Sequence, residues 1–274
     1  MQLGIFAKTF KGASPEIVLS TAKKSGYECV QYNMACSGLN ALPAMIETAA
    51  ADQIAVAADK YKIVITAVSA TYNMVHPNLA KRLAGRKSFA EIAANAKRMG
   101  TNMLTVCTGS CDPLDQWHHH PDNNLPSIWN DLCHECESLL EIADQYGIAI
   151  GIEPELANIV NNANRARALL DQFKSPRLKI ILDPANLFEI ENDPERRKII
   201  ENAIDLLASD IAFVHAKDRN ASGGFATTGQ GVIDFAHYFK TLKRAGFDGP
   251  VITHGLSESE APSVAQYLRE RMSQ

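Results

Sequence analysis

Four short apolar runs in the second half of the chain each end on a side chain that can bind a metal or move a proton. Ile150-Gly151-Ile152 runs into Glu153, and Ile180-Ile181-Leu182 runs into Asp183. Ala212-Phe213-Val214 runs into His215, and Val251-Ile252-Thr253 runs into His254. A single carboxylate at the end of a strand usually caps the next helix or joins an ion pair. Four such residues in succession, spaced by roughly 30–40 positions, fall one per strand-plus-helix unit. Gathered at one rim, the two carboxylates would repel each other in a poorly solvated setting. One divalent cation removes that cost. A mixed oxygen and nitrogen donor set suits Mn, Mg, Co or Zn, whereas calcium prefers oxygen alone.

Bringing these residues to one rim requires a particular scaffold, and the rest of the chain describes it. Apolar, β-branched runs recur near Leu3–Phe6, Cys29–Tyr32, Ile63–Ala70, Met103–Cys107, Ala149–Glu153, Lys179–Leu182, Ile211–His215 and Pro250–Thr253. Amphipathic stretches separate them. Ser14-Pro15-Glu16 and Asp193-Pro194-Glu195 put proline at a first helical position. Gly26, Gly100, Gly147 and Gly246 stand where helices hand over to strands, as left-handed caps require. Eight strand–helix units predict an α/β chain folded as a single (β/α)8 TIM barrel, one domain spanning residues 1–274. A doubly wound open sheet would show a glycine-rich phosphate turn after its first strand. The chain instead has Ala7-Lys8-Thr9-Phe10-Lys11-Gly12.

Composition narrows the function. The 274 residues are 46% hydrophobic and 21% charged, and the net charge of -4 offers no attraction to nucleic acid or an anionic membrane. No long apolar segment predicts a membrane span, and the N-terminus lacks a secretory pattern, so the expected location is cytoplasmic. The six cysteines read as packing residues rather than disulfides. Cys133-His134-Glu135-Cys136 has half of a zinc-site spacing but lies within a helical run, Pro126 to Tyr146.

Ile152-Glu153-Pro154, Leu182-Asp183-Pro184-Ala185-Asn186, Val214-His215-Ala216-Lys217-Asp218 and Gly229-Gln230-Gly231-Val232-Ile233-Asp234-Phe235 resemble the sugar phosphate isomerase/epimerase family. That family belongs to the xylose isomerase-like TIM barrels, alongside ketose 3-epimerases, inosose dehydratases and endonuclease IV. The resemblance implies that Glu153, Asp183 and His215 bind a catalytic divalent metal. Many members add a glutamate from the eighth strand as ligand and acid/base. His254 stands there in this chain. The family histidine three residues beyond the sixth-strand aspartate is replaced by Asn186, which retains the capacity to hydrogen-bond a substrate hydroxyl.

These residues lead to a metal-dependent sugar or polyol isomerase/epimerase. It would abstract a proton beside a carbonyl and pass through a metal-stabilised enediolate. Glu153 is the candidate base and a metal ligand. His254 is a ligand or a second acid/base, and Lys217 directs positive charge at a substrate oxyanion. Asn186, His76, Trp117 and Arg219 are candidate substrate contacts at the same rim. The glycine-rich segment from Arg219 to Gly231 reads as a mobile loop, and His118-His119-His120 as an exposed polar loop. Two alternatives stay open: a keto-polyol (inosose-type) dehydratase or lyase on the same metal site, and a catalytically inactive ligand-binding barrel. The expected partner is a small-molecule sugar or polyol, with no nucleic acid or membrane. A homo-oligomer is compatible with this reading.

Overall fold

The computed structural model describes residues 1–274. Strands β1 (Gln2–Phe6), β2 (Cys29–Tyr32), β3 (Val64–Ser69), β4 (Met103–Cys107), β5 (Ala149–Glu153), β6 (Leu178–Leu182) and β7 (Ile211–Ala216) follow the predicted runs closely. Beyond β7, two short strands form a hairpin, β8 (Asp218–Arg219) and β9 (Phe225–Ala226). The eighth barrel strand is β10 (Pro250–Thr253). The barrel strands are parallel and closed in the order β1-β10-β7-β6-β5-β4-β3-β2, with Gln2 of β1 registered against Pro250 of β10. The expected (β/α)8 barrel is the fold.

Helices α1 (Pro15–Lys24), α2 (Thr48–Tyr61), α3 (Leu79–Ala96), α4 (Pro126–Tyr146), α5 (Ala163–Phe173), α6 (Asp193–Leu207), α7 (Phe235–Arg244) and α8 (Ala261–Met272) alternate with the barrel strands. Local chemistry sets their ends. At α6 the Asn192 side chain accepts from Glu195 N at 3.2 Å, and Glu195 Oε2 accepts from Asn192 N at 3.3 Å. That reciprocal cap, with Pro194 in the first turn, starts the helix cleanly. Helix α4 stops at Gly147, whose φ of 64° is costly for residues bearing a Cβ. No helix is long and apolar enough to cross a membrane.

Most of the core lies between the strands and the helical shell, a continuous cluster of 68 buried residues. It excludes the half zinc-site reading of α4. Cys133 and Cys136 are packed among apolar neighbours, and Glu135 is bound by Arg86 Nη2 at 2.6 Å and by Tyr72 Oη at 2.5 Å. A smaller cluster fills the barrel interior: Cys29, Ala67, Ile181, Phe213 and Ile252. These five come from five different strands and make an apolar floor. What stands above that floor follows from the pleat.

Candidate active site

Side chains two residues apart on a strand share a face. Each floor residue therefore predicts the next inward-facing position toward the C-terminal rim. Two beyond Ile181 is Asp183, two beyond Phe213 is His215, and two beyond Ile252 is His254. Gly151 stands at the matching level on β5, two before Glu153; a Cβ there would meet the Ile181 side chain at 2.8 Å. The apolar layer thus sets the level at which the polar one begins.

The four side chains converge. Glu153, Asp183, His215 and His254 each offer one ligand atom, all within 4.8 Å of one another. His215 Nδ1 lies 3.2 Å from Glu153 Oε1 and 3.7 Å from Asp183 Oδ2. His254 Nε2 lies 3.1 Å from Asp183 Oδ2. The two imidazoles meet edge to face, with centroids 4.5 Å apart. Lys217 Nζ lies 3.4 Å from Asp183 Oδ2 and donates to Asn186 Oδ1 at 2.6 Å. Asn186 Nδ2 in turn donates to Glu153 Oε1 at 2.8 Å. A single connected network joins six of the residues expected at the site.

The titration of the group follows from burial set against mutual charge. Burial opposes ionisation of Glu153, but the His215 charge and hydrogen bond and the Lys217 charge outweigh it, leaving the carboxyl below its ordinary value. Burial also opposes ionisation of Asp183. Lys217, with hydrogen bonds from His215 and His254, brings that carboxyl well below the usual range. For His215, burial would remove the proton, yet Glu153 and Asp183 retain it and raise the imidazolium to about 9. His254 is pushed below 6.5 by burial and by the neighbouring His215 charge, which Asp183 only partly offsets. At neutral pH the two carboxylates are thus faced by Lys217 and a protonated His215. A divalent ion that displaces the His215 proton fits this donor set, since ligating imidazole must be neutral.

A cavity of about 280 Å³ opens over the cluster. Glu153, His215 and His254 form part of its wall, with amides and hydroxyls from Gln31, Asn33, Ser69 and Thr105. Phe6 and Trp117 add apolar surface, and Lys8 brings a cation from the end of β1. A wider hollow of about 620 Å³ lies at the opposite end of the barrel, against Val64, Asn102, Phe213 and Pro250. That hollow holds no carboxylate or imidazole, so the smaller cavity is the candidate site.

The segment from Arg219 to Gly231 is tied down near both ends. Buried Asp218 anchors it. Asp218 Oδ2 accepts from Gly229 N and Gly231 N, both at 3.0 Å, and Oδ1 accepts from Arg219 N at 2.9 Å and Ile233 N at 3.1 Å. A Cβ on Gly231 would come within 2.2 Å of Asp218 Oδ1, so the close approach requires glycine. Burial still raises the Asp218 carboxyl despite those donors. The pinned segment holds the Phe225 ring 3.9 Å from Lys217 Nζ.

Three of the expected contact residues stand apart from the cavity: buried Asn186, whose amide is shared between Glu153 and Lys217, and Arg219 and His76, which are engaged elsewhere. The Arg219 guanidinium donates from Nε to Ala185 O at 2.9 Å and from Nη1 to Gly223 O, and it stacks on Phe225. Its charge is spent on loop carbonyls. The His76 ring accepts from Asn78 N at 2.9 Å and pairs with Pro113 O at 3.2 Å, beside a neighbouring groove. Trp117 does reach the cavity wall. His118 pairs with Asp112 Oδ2 at 2.7 Å, and His120 Nδ1 accepts from Asp122 N at 3.2 Å, both away from the four-residue cluster.

Gln31 and Glu155 were not singled out in the sequence. Gln31 is a polar residue inside a strand buried throughout, two positions beyond floor residue Cys29, and that spacing was the available signal. Glu155 follows Glu153 and Pro154. Burial lifts its carboxyl to about 7, against the opposing charge of Lys217.

A family model for the xylose isomerase-like TIM barrel matches residues 19–272. The chain belongs to that family. Among curated relatives of this xylose isomerase-like barrel, an L-ribulose-5-phosphate 3-epimerase, UlaE, from Escherichia coli O1:K1 / APEC is 26% identical over 134 residues. That alignment covers 48% of this chain and 45% of the relative. A ketose 3-epimerase from Arthrobacter globiformis is 31% identical over 112 residues, covering 40% of this chain and 35% of the relative. The chain thus spans less than half the length of the curated relatives it matches. Two solved barrels superpose along nearly the whole chain. A D-tagatose 3-epimerase-like protein has a TM-score of 0.80 at 18% identity, covering 100% of this chain and 97% of that one. The IOLI protein, solved with a zinc atom, has a TM-score of 0.75 at 17% identity, covering 100% and 98%. The relatives are sugar epimerases, and the structural likeness is one of fold.

Proposed function

We propose that this barrel is a divalent-metal-dependent sugar or polyol epimerase or isomerase. The observation that carries the reading is the convergence of Glu153, Asp183, His215 and His254, with ligand atoms within 4.8 Å of one another at the floor of a polar cavity. The sugar epimerases among its relatives support the substrate class. The cavity, at about 280 Å³, lies just below the ~300–1,000 Å³ usual for small-molecule sites and suits a single sugar. Its amides and hydroxyls offer the alternating donors and acceptors that a polyol needs.

A divalent ion held by the four residues supplies positive charge that steadies an oxyanion developing beside a departing proton. The rest falls to the chain. Asp183, shielded from solvent and held ionised by its cationic neighbours, is a ligand and does not move a proton. Glu153 is held at Oε1 by Asn186 and His215, and its Oε2 faces the Cys107 thiol at 3.9 Å. It is the candidate base, ionised at neutral pH. Lys217 lies behind Asn186 and Asp183 and lends its charge to the same side of the site. His254 is neutral at pH 7 and serves as the fourth ligand or as a proton-accepting group on the opposite side.

The test joins metal content to product analysis. Purified protein is expected to carry about one divalent ion per chain, and Glu153→Gln or Asp183→Asn to remove most of it. Offered a panel of ketoses and inososes in heavy water, the protein is expected to return an epimer or isomer with deuterium at the proton-exchanging carbon. Loss of water from the substrate would make the chain a dehydratase. Bound metal without turnover on any polyol would leave a ligand-binding barrel. Asp183→Asn with metal content and activity intact would show that the site is misplaced.

A further inference from the structure

We infer that Gln31 is a positioning residue that sets the tautomer of His215, so that the Nδ1 lone pair, and not Nε2, faces the two carboxylates. The inference rests on the metal-site reading above. His215 has one nitrogen toward each side of the barrel interior. Nδ1 faces Glu153 Oε1 at 3.2 Å and Asp183 Oδ2 at 3.7 Å, the place a cation would occupy. Nε2 faces away from both, 2.8 Å from Gln31 Oε1. A neutral imidazole carries one proton. If Nδ1 is to bind a cation, that proton must be on Nε2, where it needs an acceptor because the ring is buried.

Gln31 provides this acceptor only in one orientation of its amide. A flipped amide would present its NH2 to Nε2 and favour the opposite tautomer, with the proton on Nδ1 between the carboxylates. In the orientation seen here Gln31 Nε2 donates to Thr105 Oγ1 at 3.1 Å. Thr105 lies on β4 and Gln31 on β2, so the side chain is held in place by an element other than its own. The chain Thr105–Gln31–His215 thus runs across the barrel and ends on the candidate metal site. Outer partners of ligating histidines work this way, fixing both ring and tautomer, and their loss typically costs about 10- to 100-fold in metal affinity. An amide does this without adding a third negative charge beneath Glu153 and Asp183.

The test uses zinc alone. With Zn²⁺ bound to the wild-type chain, long-range proton–nitrogen correlation spectra are expected to show His215 protonated at Nε2 and metal-shifted at Nδ1. Competition with a chromophoric chelator is expected to show about 10- to 100-fold weaker zinc binding in Gln31→Leu. Gln31→Glu keeps the acceptor and is expected to stay within a few-fold of wild type. Thr105→Val, which removes the partner that holds the Gln31 side chain in place, is expected to fall between the two. Zinc-bound wild type with the proton on Nδ1 overturns the inference, as does Gln31→Leu binding zinc as tightly as wild type. If Gln31→Leu does not fold, the wild-type spectrum and Thr105→Val decide. A wild-type chain that binds no zinc overturns the metal reading itself, a different pattern from metal bound through the wrong nitrogen.

Discussion

Replacing Asp218 by asparagine tests whether one buried carboxylate holds the glycine-rich segment over the site. Its two oxygens accept from four backbone N–H groups, of Arg219, Gly229, Gly231 and Ile233, at 2.9–3.1 Å. Asparagine keeps one acceptor and turns an NH2 toward two of those donors. The cheaper orientation keeps Gly229 and Gly231 paired and sacrifices Ile233 and the adjacent Arg219. Two buried N–H groups lose their partner, each worth about 1–3 kcal/mol. The Arg219 contact is local and is the weaker of the two, and the variant escapes the burial of a charge. The expected loss is therefore about 2–4 kcal/mol, or roughly 5–15 °C in melting temperature. Guanidinium unfolding measures the loss, and amide hydrogen exchange locates it. Faster exchange at Arg219 and Ile233 is expected to accompany lower turnover, because Phe225 no longer sits over Lys217. A variant within about 0.5 kcal/mol of wild type, with these amides equally protected, would refute the reasoning.

Further outcomes follow from the same geometry. Changing His118, His119 and His120 together to alanine is expected to leave the metal bound, since the cluster is complete without them and the His118 and His120 rings are engaged elsewhere; its loss in inductively coupled plasma analysis would transfer the site to that loop. His254→Ala is expected to weaken metal binding, with activity partly restored by added metal, and His254→Glu to bind as well as wild type. Turnover falling by roughly 10²–10⁴-fold at full metal content would instead make His254 an acid/base group alone. In metal-free protein His215 holds its proton to about 9, above the ordinary 6.5, so its contribution to stability is complete below 6.5 and lost as pH rises through 9. Thermal unfolding in chelator between those values reads that loss, and a flat profile would mean that His215 carries no extra proton. Metal affinity is expected to rise over the same interval, because the ligand must give up that proton.

The strand–helix rhythm was legible in the chain because buried parallel strands are apolar on both faces and helices announce their ends with proline, asparagine and glycine. The ligand cluster was legible for the same reason. A run such as Ile180-Ile181-Leu182 leaves no polar residue before Asp183, so the break marks both the rim and its chemistry. Backbone periodicity carries that much and no more. It does not say which polar residues near a rim point inward, because that depends on partners distant in sequence. Arg219 and His76 have the right residue types at the right ends, yet their polar atoms are engaged by Ala185, Gly223, Pro113 and Asn78, contacts that exist only once the loops pack. Gln31 gains its place from Thr105 on one side and His215, 184 positions away, on the other. The loop from Arg219 to Gly231 has the glycine content of a flexible segment, and a buried carboxylate that accepts from N–H groups near both of its ends anchors it. Pattern along the chain chose the barrel and the four strand-end side chains. Closing the barrel brought those side chains together, and packing across it decided which neighbours position them.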